Sequence, residues 1–473
     1  MGKLITKTKI ICTIGPASNS PEVIKKMIKN GMNVARLNFS HGTHESHKQT
    51  IQLVRQVADE MGVKVGILQD LCGPKIRLGQ LPEEGIRLVV GSTITLASSS
   101  KECEDAIPVD YDNLHKEIMI GERILIADGM MEVKVVDIEG VRVICEVITG
   151  GVAYTRKGVN MPQSKLQVSA FSEKDKKDLE MGLSENIDFV ALSFVRSAKD
   201  LEEIKKTISK SCHRPLLIAK IEKPQAVENL KEILDVVDGV MVARGDLGVE
   251  MPLEDIPYVQ KEIIQAARKA GRITITATQM LASMVKASRP TRGETTDVAN
   301  AVLDGTDAIM LSDETANGDY PDIAVQTLAK IAKSAERYIN SSLDFDSSSF
   351  SDAHSFTLAI GRAACWLAKD VNAKAIVSYS SAGYAPYCIS RFRPDCEILV
   401  LTYDELVCNT MSLIWGARAV TSNVLLDFDS IIELAKVKAI EEGLAETGDT
   451  IIVTTGMPFG QTGTTNILRL VEV

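Results

Sequence analysis

The sequence predicts an α/β protein. It is expected to hold a (β/α)8 barrel of the TIM type, a small all-β lid domain inserted into that barrel, and a C-terminal three-layer α/β domain. Three observations carry this expectation. Eight short apolar runs, each closing on polar or charged residues, alternate with helical stretches; such runs read as parallel strands buried on both faces. After the third run the rhythm stops, and residues 72–157 show little helical period. Beyond a Ser- and Asp-rich patch at Ser341–Ser349, read as a linker, a second strand–helix series begins. The expected divisions are 1–71 with 158–342 for the barrel, 72–157 for the lid and 343–473 for the C-terminal domain. An open doubly wound sheet is the competing arrangement.

The first strand is Ile10–Ile14, stopped by Gly15-Pro16. Ser20-Pro21 then sets an N-cap with proline in the first helical position, and the helix runs to Asn30 and stops at Gly31. Val23, Ile24, Met27 and Ile28 form its apolar face. A second strand carries Arg36, Asn38, Ser40 and His41 at its exit, a helix covers roughly 44–61, and Val65–Asp70 is the third strand. In the inserted stretch Met131–Val135 and Val141–Val147 alternate in polarity, with turn signals at Asp128-Gly129 and Glu139-Gly140. Strands four to eight are Phe189–Val195, Leu216–Ile221, Val240–Ala243, Ile273–Ala277 and Ala308–Leu311. The C-terminal strands are Ala375–Ser378, Glu397–Leu401, Thr450–Val453 and Asn466–Leu470, with helices of about 10–17 residues between them.

Length and composition narrow the function. A chain of 473 residues needs more than one core. A formal charge of −10 argues against general nucleic-acid affinity. No run of about 18 apolar residues offers a membrane span, and the N-terminus has no signal-peptide core. Met1-Gly2 through Thr6 fits the loose myristoylation pattern, but the first strand follows almost at once. Nine cysteines without a Cys-x-x-Cys pair read as reduced thiols in a cytoplasm.

The chemistry lies at the strand exits, which in a (β/α)8 barrel form the catalytic face. Lys220 and Glu222 leave strand five, and Asp246 leaves strand six, with Gly245 beside it. Two carboxylates and an ammonium suit a divalent cation next to a phosphate, since hard cations take oxygen ligands; a buried ion pair closing the barrel mouth is the plain alternative. Arg36, Asp70, Lys75 and Arg77 leave strands two and three, Thr278 and Gln279 strand seven, Ser312 and Glu314 strand eight. No Walker loop and no Gly-x-Gly-x-x-Gly after a strand is present, and Gly460-Gln461-Thr462-Gly463 reads as a turn. Phosphates are therefore expected to be held by basic side chains and metal. Phosphoryl transfer asks for little more: cations on the travelling oxygens and an in-line acceptor.

The ordered motifs resemble the pyruvate kinase family from Lys9 to the C-terminus. They are Thr13–Pro16, Arg36–Gly42, Gly73–Arg77, Lys220–Glu222, Met241–Gly248, Thr276–Leu281, Arg289–Arg292, Asp297–Gly305 and Gly463–Asn466. The resemblance implies transfer of a phosphoryl group from phosphoenolpyruvate to ADP, giving pyruvate and ATP in glycolysis. It implies that Glu222 and Asp246 hold Mg2+ or Mn2+, that Lys220 neutralises the phosphoryl group and that Arg36 grips the phosphate. It further implies that the backbone at Gly245 and Asp246 receives the carboxylate. Thr278 would stand near the carbon that gains a proton, positioning a water or relay together with Ser312. Asn38, Ser40, His41, Arg77 and Lys157 are implied in nucleotide binding, with Lys157 at the far hinge of the lid. A homotetramer is implied as well.

Two departures from the family pattern bear on regulation. Many members hold K+ near Asn38, Ser40 and Asp70, with threonine after the aspartate and glutamate five residues after it; here those positions are Leu71 and Lys75. An ammonium in place of the glutamate predicts activity without K+, the alternative being a Lys75 that points to solvent. The family's sugar-phosphate loop is replaced by Ser378-Tyr379-Ser380-Ser381-Ala382-Gly383-Tyr384. Hydroxyls remain at Ser378, Ser380 and Ser381, but the Ser-Gly step is lost, which weakens the case for fructose 1,6-bisphosphate; another sugar phosphate, AMP or no effector fits equally. Two other functions share parts of the pattern: an enolate-forming lyase on a 2-oxo acid, and a non-catalytic metabolite sensor. The first has no use for Arg77 and Lys157, the second none for Lys220, Glu222, Asp246 and Thr278.

Overall fold

The computed structural model describes residues 6–99, 105–164, 167–339, 355–425, 427–458 and 465–473. The expected linker at Ser341–Ser349 and the turn at Gly460–Gly463 lie outside the described residues.

Eight parallel strands close into a barrel, each paired with the next in chain order and the first with the last. They are Lys9–Thr13, Val34–Asn38, Gly66–Leu71, Phe189–Leu192, Leu216–Ile221, Gly239–Ala243, Ile273–Ala277 and Ala308–Leu311. The open doubly wound sheet is thereby excluded. Alternation along each strand sorts the core. Ile10, Cys12, Val240 and Val242 face the surrounding helices, whereas Ile11, Met241, Ile275 and Met310 fill the barrel interior. That interior is continuous with Phe392, Leu413 and Ile414 of the C-terminal domain, which closes the N-terminal end of the barrel.

The helices start where local chemistry places them. Ser20 accepts from the backbone N–H of Val23 ahead of the helix Pro21–Lys29, which buries Ile24, Met27 and Ile28. Ser172 and Asp175 form a reciprocal capping box at the head of Glu173–Ser184. The buried Asp175 also accepts from the Gly73 N–H at 3.2 Å, tying that helix to the chain entering the lid.

The inserted segment contains a six-stranded sheet with its own apolar core and a two-stranded pair. Both expected turns join antiparallel neighbours: Asp128-Gly129 between Arg123–Ile126 and Met131–Glu139, and Gly140 before Arg142–Thr149. The C-terminal sheet has five strands.

Three expectations need correction. The fourth barrel strand ends at Leu192, three residues early, because the chain turns there: Phe194 sits at φ 57° so that its N–H can reach Glu222. An edge strand at Ala417–Thr421 was not expected; its residues are half-exposed and lack the apolar run that marks a buried strand. Two C-terminal helices, Tyr384–Ser390 and Glu405–Thr410, are shorter than the 10–17 residues expected.

One ion pair fastens the C-terminal domain to the barrel. Arg393 donates to Asp307 at 2.8 Å and to the Gly305 carbonyl at 2.7 Å, and both charged side chains are almost fully buried. Asp307 also accepts from the N–H and hydroxyl of Thr274, so one carboxylate ties the roots of strands seven and eight. Arg393→Met strands that carboxylate. It is expected to lower stability by about 3–5 kcal/mol, the usual cost of removing one partner of a buried pair, read as a shifted urea unfolding midpoint.

Candidate active site

The side chains that leave strands two, three and five meet at the C-terminal mouth of the barrel. Arg36 places Nε and a terminal nitrogen on the same oxygen of Asp70, both at 2.7 Å, and gives a further bond to the Thr13 hydroxyl at 2.8 Å. The Lys220 ammonium lies 2.8 Å from Glu222, 3.3 Å from the other oxygen of Asp70 and 2.8 Å from the Ser193 hydroxyl. Ser193 in turn donates to the Leu71 carbonyl at 2.7 Å. Each of these charged side chains is nine-tenths or more buried, which strengthens the interaction of every charge among them.

Burial works against the charge on Lys220, but Asp70, Glu222 and Asp246 together outweigh it and hold the ammonium well above its ordinary pKa. Burial also opposes ionisation of Asp70, yet Lys220 and Arg36 pull its carboxyl below the usual range. Glu222 is pushed up, by burial first and by the nearby charge of Asp246, despite its contact with Lys220. A buried carboxylate whose charge is disfavoured by a second carboxylate beside it forms with that neighbour a donor set that a divalent cation satisfies. Glu222 and Asp246 therefore fit Mg2+ or Mn2+. Among the described residues no group of three or more His, Cys, Asp or Glu side chains is arranged to hold a metal. An ion here would complete its shell with substrate oxygens and water, as Mg2+ commonly does.

Asp246 sits in the first turn of the short helix Arg244–Glu250, directly after strand six. The Gly245 N–H donates to the Thr278 hydroxyl at 2.7 Å, and Arg244 grips both oxygens of Asp297 and the Thr278 carbonyl. Thr278 and Gln279 both adopt left-handed backbone, φ 67° and 55°. For a β-branched threonine that conformation costs roughly 1–3 kcal/mol and is found where a site demands it. Ser312 follows strand eight with its N–H on Glu314, and its hydroxyl is buried without a hydrogen-bond partner among the described residues. That hydroxyl is free to serve a bound water or substrate.

The other expected residues follow strand two or lie at the root of the lid. Asn38 accepts from the Ser40 N–H at 3.1 Å, and His41 is exposed on the same loop, its carbonyl held by His47. Arg77 and Lys157 lie side by side at the root of the lid: Arg77 donates to the Arg156 carbonyl and Leu78 N–H to that of Lys157. Lys75 is paired with Asp128 at 3.7 Å, while both oxygens of Asp70 are taken by Arg36 and Lys220. A cavity of about 330 Å3 opens between lid and barrel, with Lys75, Asp128, Phe194, Lys223, Asp246 and Val249 in its wall. Ser378, Ser380 and Ser381 are remote from this site, in the C-terminal domain. Ser378 is buried, and Ser380 accepts from the Gly383 N–H ahead of a helix of seven residues.

Sequence reasoning missed Ser193 and gave no role to Thr13 and Arg244, which it met only inside motifs. Thr13 was within reach of the same strand-exit argument, since it closes an apolar run. Ser193 was hidden inside an overlong fourth strand. The partner of Arg244, Asp297, lies 53 positions away on another helix, and no local pattern joins them. His115 of the lid is half-buried, and its Nδ1 is enclosed without a hydrogen-bond partner among the described residues.

An α/β barrel with an inserted β domain and buried cationic and carboxylate side chains at its mouth has the features of an enzyme acting on small anionic substrates. Comparison with known proteins makes this specific. The family model "Pyruvate kinase, barrel domain" matches residues 5–325, and "Pyruvate kinase, alpha/beta domain" matches residues 358–471. A pyruvate kinase of Staphylococcus haemolyticus is 42% identical over 468 residues, covering 98% of this chain and 80% of the relative. One from Staphylococcus aureus (strain MRSA252) is 42% identical over 467 residues with the same coverage. A solved pyruvate kinase from Cryptosporidium parvum superposes with a TM-score of 0.94 at 38% identity, covering 99% of this chain and 96% of that one. The chain belongs to the pyruvate kinase family and is a phosphotransferase.

Proposed function

We propose that the protein transfers the phosphoryl group of phosphoenolpyruvate to ADP in a divalent-metal-dependent reaction that does not require K+. The observation that carries this reading is the buried Lys220 ammonium, held charged within 2.8 Å of Glu222 and 3.3 Å of Asp70 at the barrel mouth.

The enol oxygen–phosphorus bond breaks as a β-phosphate oxygen of ADP bonds to phosphorus, and the enolate left behind takes a proton at its terminal carbon. Lys220 sets its positive charge on the phosphoryl oxygens during the crossing, and Arg36, braced by Asp70 and Thr13, orients the phosphate. The backbone N–H groups of Gly245 and Asp246 donate to the substrate carboxylate at the head of their helix, Gly245 giving up its bond to the Thr278 hydroxyl. Mg2+ or Mn2+ on Glu222 and Asp246 supplies Lewis-acid neutralisation of the substrate's anionic oxygens. Thr278 and the unpartnered Ser312 hydroxyl hold the water or relay that delivers the proton. Asn38, Ser40, His41, Arg77 and Lys157 bind the nucleotide, and lid closure keeps water from intercepting the phosphoryl group. A coupled assay for pyruvate tests the reading. Pyruvate formed from phosphoenolpyruvate without ADP would mean that water takes the phosphoryl group and would defeat the kinase reading, and no pyruvate under any condition would indicate a sensor.

K+ independence rests on Lys75, a cation at the position where the K+-requiring family pattern has glutamate. With Na+ or tetramethylammonium as the sole monovalent ion, activity is expected within about twofold of that in K+, and Lys75→Glu is expected to introduce a K+ requirement, since like charges repel within a Debye length. A large rise on adding K+ to the unmodified protein would refute it. No helix among the described residues is long and apolar enough to cross a membrane. A cytoplasmic homotetramer is the expectation that the family resemblance supports. Ser378, Ser380 and Ser381 form the candidate effector loop; screening sugar phosphates and AMP, with and without K+, tests it.

A further inference from the structure

Helix Arg244–Glu250 is seven residues long and is held at both ends. Its first turn carries Gly245 and Asp246, anchored through Arg244 to Asp297 and Thr278. Its last residue, Glu250, is buried, and one carboxylate oxygen accepts from two donors: the Lys223 ammonium at 2.5 Å and the Asn160 amide at 2.7 Å. Those donors come from two different places. Lys223 directly follows Glu222. Asn160 ends the strand Val159–Asn160, which pairs with Leu125 and Ile126 in the sheet of the lid. The lid meets the same helix a second time at the hairpin tip, where a Cβ on Gly129 would stand 3.7 Å from Val249. The other oxygen of Glu250 is buried without a hydrogen-bond partner among the described residues.

We propose that Glu250 is a positioning residue that couples the angle of the lid to the separation of Glu222 and Asp246. The proposal rests on the reading that those two carboxylates hold the divalent ion. Asp246 and Glu250 are four residues apart on one helix, about 6 Å along its axis, so a pull at Glu250 tilts the helix about its Arg244 anchor and turns Asp246 with it. The Lys223–Glu250 pair carries the same pull to Glu222. Closing the lid moves Asn160 and Gly129, and through Glu250 and Val249 that motion reaches the two metal ligands. The pair thus reaches its working spacing only when the lid is shut, which keeps the phosphoryl group from reacting in an open, wet site.

Asn160 lies in the lid, outside the barrel core, so its variants are the first test. Asn160→Ala is expected to lower kcat by about 10-fold, in the range for partners that orient metal ligands, with the KM for phosphoenolpyruvate and the thermal midpoint little changed. Asn160→Asp, which sets a carboxylate against Glu250, is expected to lose more than Asn160→Ala. Glu250→Gln is expected to weaken Mn2+ binding by about 10-fold, measured on the whole protein without nucleotide. Adding Asn160→Ala to Glu250→Gln is expected to cause no further loss in kcat. Wild-type kcat in both Asn160 variants, an inverted order between them, or losses that multiply in the double variant would overturn the proposal. If Glu250→Gln does not fold, the order of the two Asn160 variants decides alone. A Glu222→Gln variant separates the two levels. Mn2+ binding retained there defeats the metal reading itself; binding lost there with wild-type Asn160 variants defeats only the coupling.

Discussion

Lys220→Met is expected to lower turnover by roughly 10²–10³-fold, corresponding to about 3–4 kcal/mol, the scale for removing one preorganised donor aimed at developing charge. The methionine keeps the length and the apolar stem, so the loss isolates the ammonium. Substrate binding should suffer less than turnover, because Arg36 and the backbone at Gly245 remain to hold phosphoenolpyruvate. The same change deprives Glu222 and Asp70 of a neighbour. Asp70 keeps Arg36 at 2.7 Å, whereas Glu222 keeps only the Phe194 N–H at 2.8 Å among the bonds described. Turnover and KM are measured together at saturating ADP and Mg2+. Turnover within a factor of a few of the wild type would mean that the ammonium closes the barrel mouth as a structural ion pair, and the phosphoryl-transfer role would fall.

Removing either of the proposed metal ligands is expected to be comparably severe. Glu222→Gln and Asp246→Asn each replace a charged oxygen donor by a neutral amide and should cost several kcal/mol of transition-state stabilisation, roughly 10²–10³-fold or more in kcat/KM. The two variants should differ in stability. Glu222 is almost fully buried and paired with Lys220 at 2.8 Å, so the glutamine, which neutralises one partner of a buried pair, is expected to cost more stability than Asp246→Asn. Mn2+ titration of the free protein checks both, with binding expected to weaken in each. Undiminished Mn2+ affinity in either variant would place the ion elsewhere.

Much of this was legible in the residues. A barrel strand is buried on both faces, so it must be apolar throughout and can turn polar only at its ends. That rule located Arg36, Asp70, Lys220, Asp246 and Thr278 without knowledge of any contact. It failed where burial was incomplete or the chain turned early: the half-exposed strand Ala417–Thr421 left no apolar run, and Ser193 was absorbed into a strand that in fact ends at Leu192. The role foreseen for Lys75 is legible only as a charge change; its observed partner Asp128 belongs to the lid hairpin.

The sequence by itself determined the barrel, the inserted β module, the C-terminal α/β domain and the set of charged side chains released at the strand exits. Periodicity and strand-end polarity are local properties, set by which faces a segment must hide from water. Which side chains meet was decided only by the tertiary structure. Barrel closure brings Arg36 and Lys220 to the two oxygens of one aspartate, and the lid brings Asn160 onto Glu250 across 90 positions. Such contacts follow from the three-dimensional path of the chain, and a buried carboxylate is satisfied by whatever donor that path delivers.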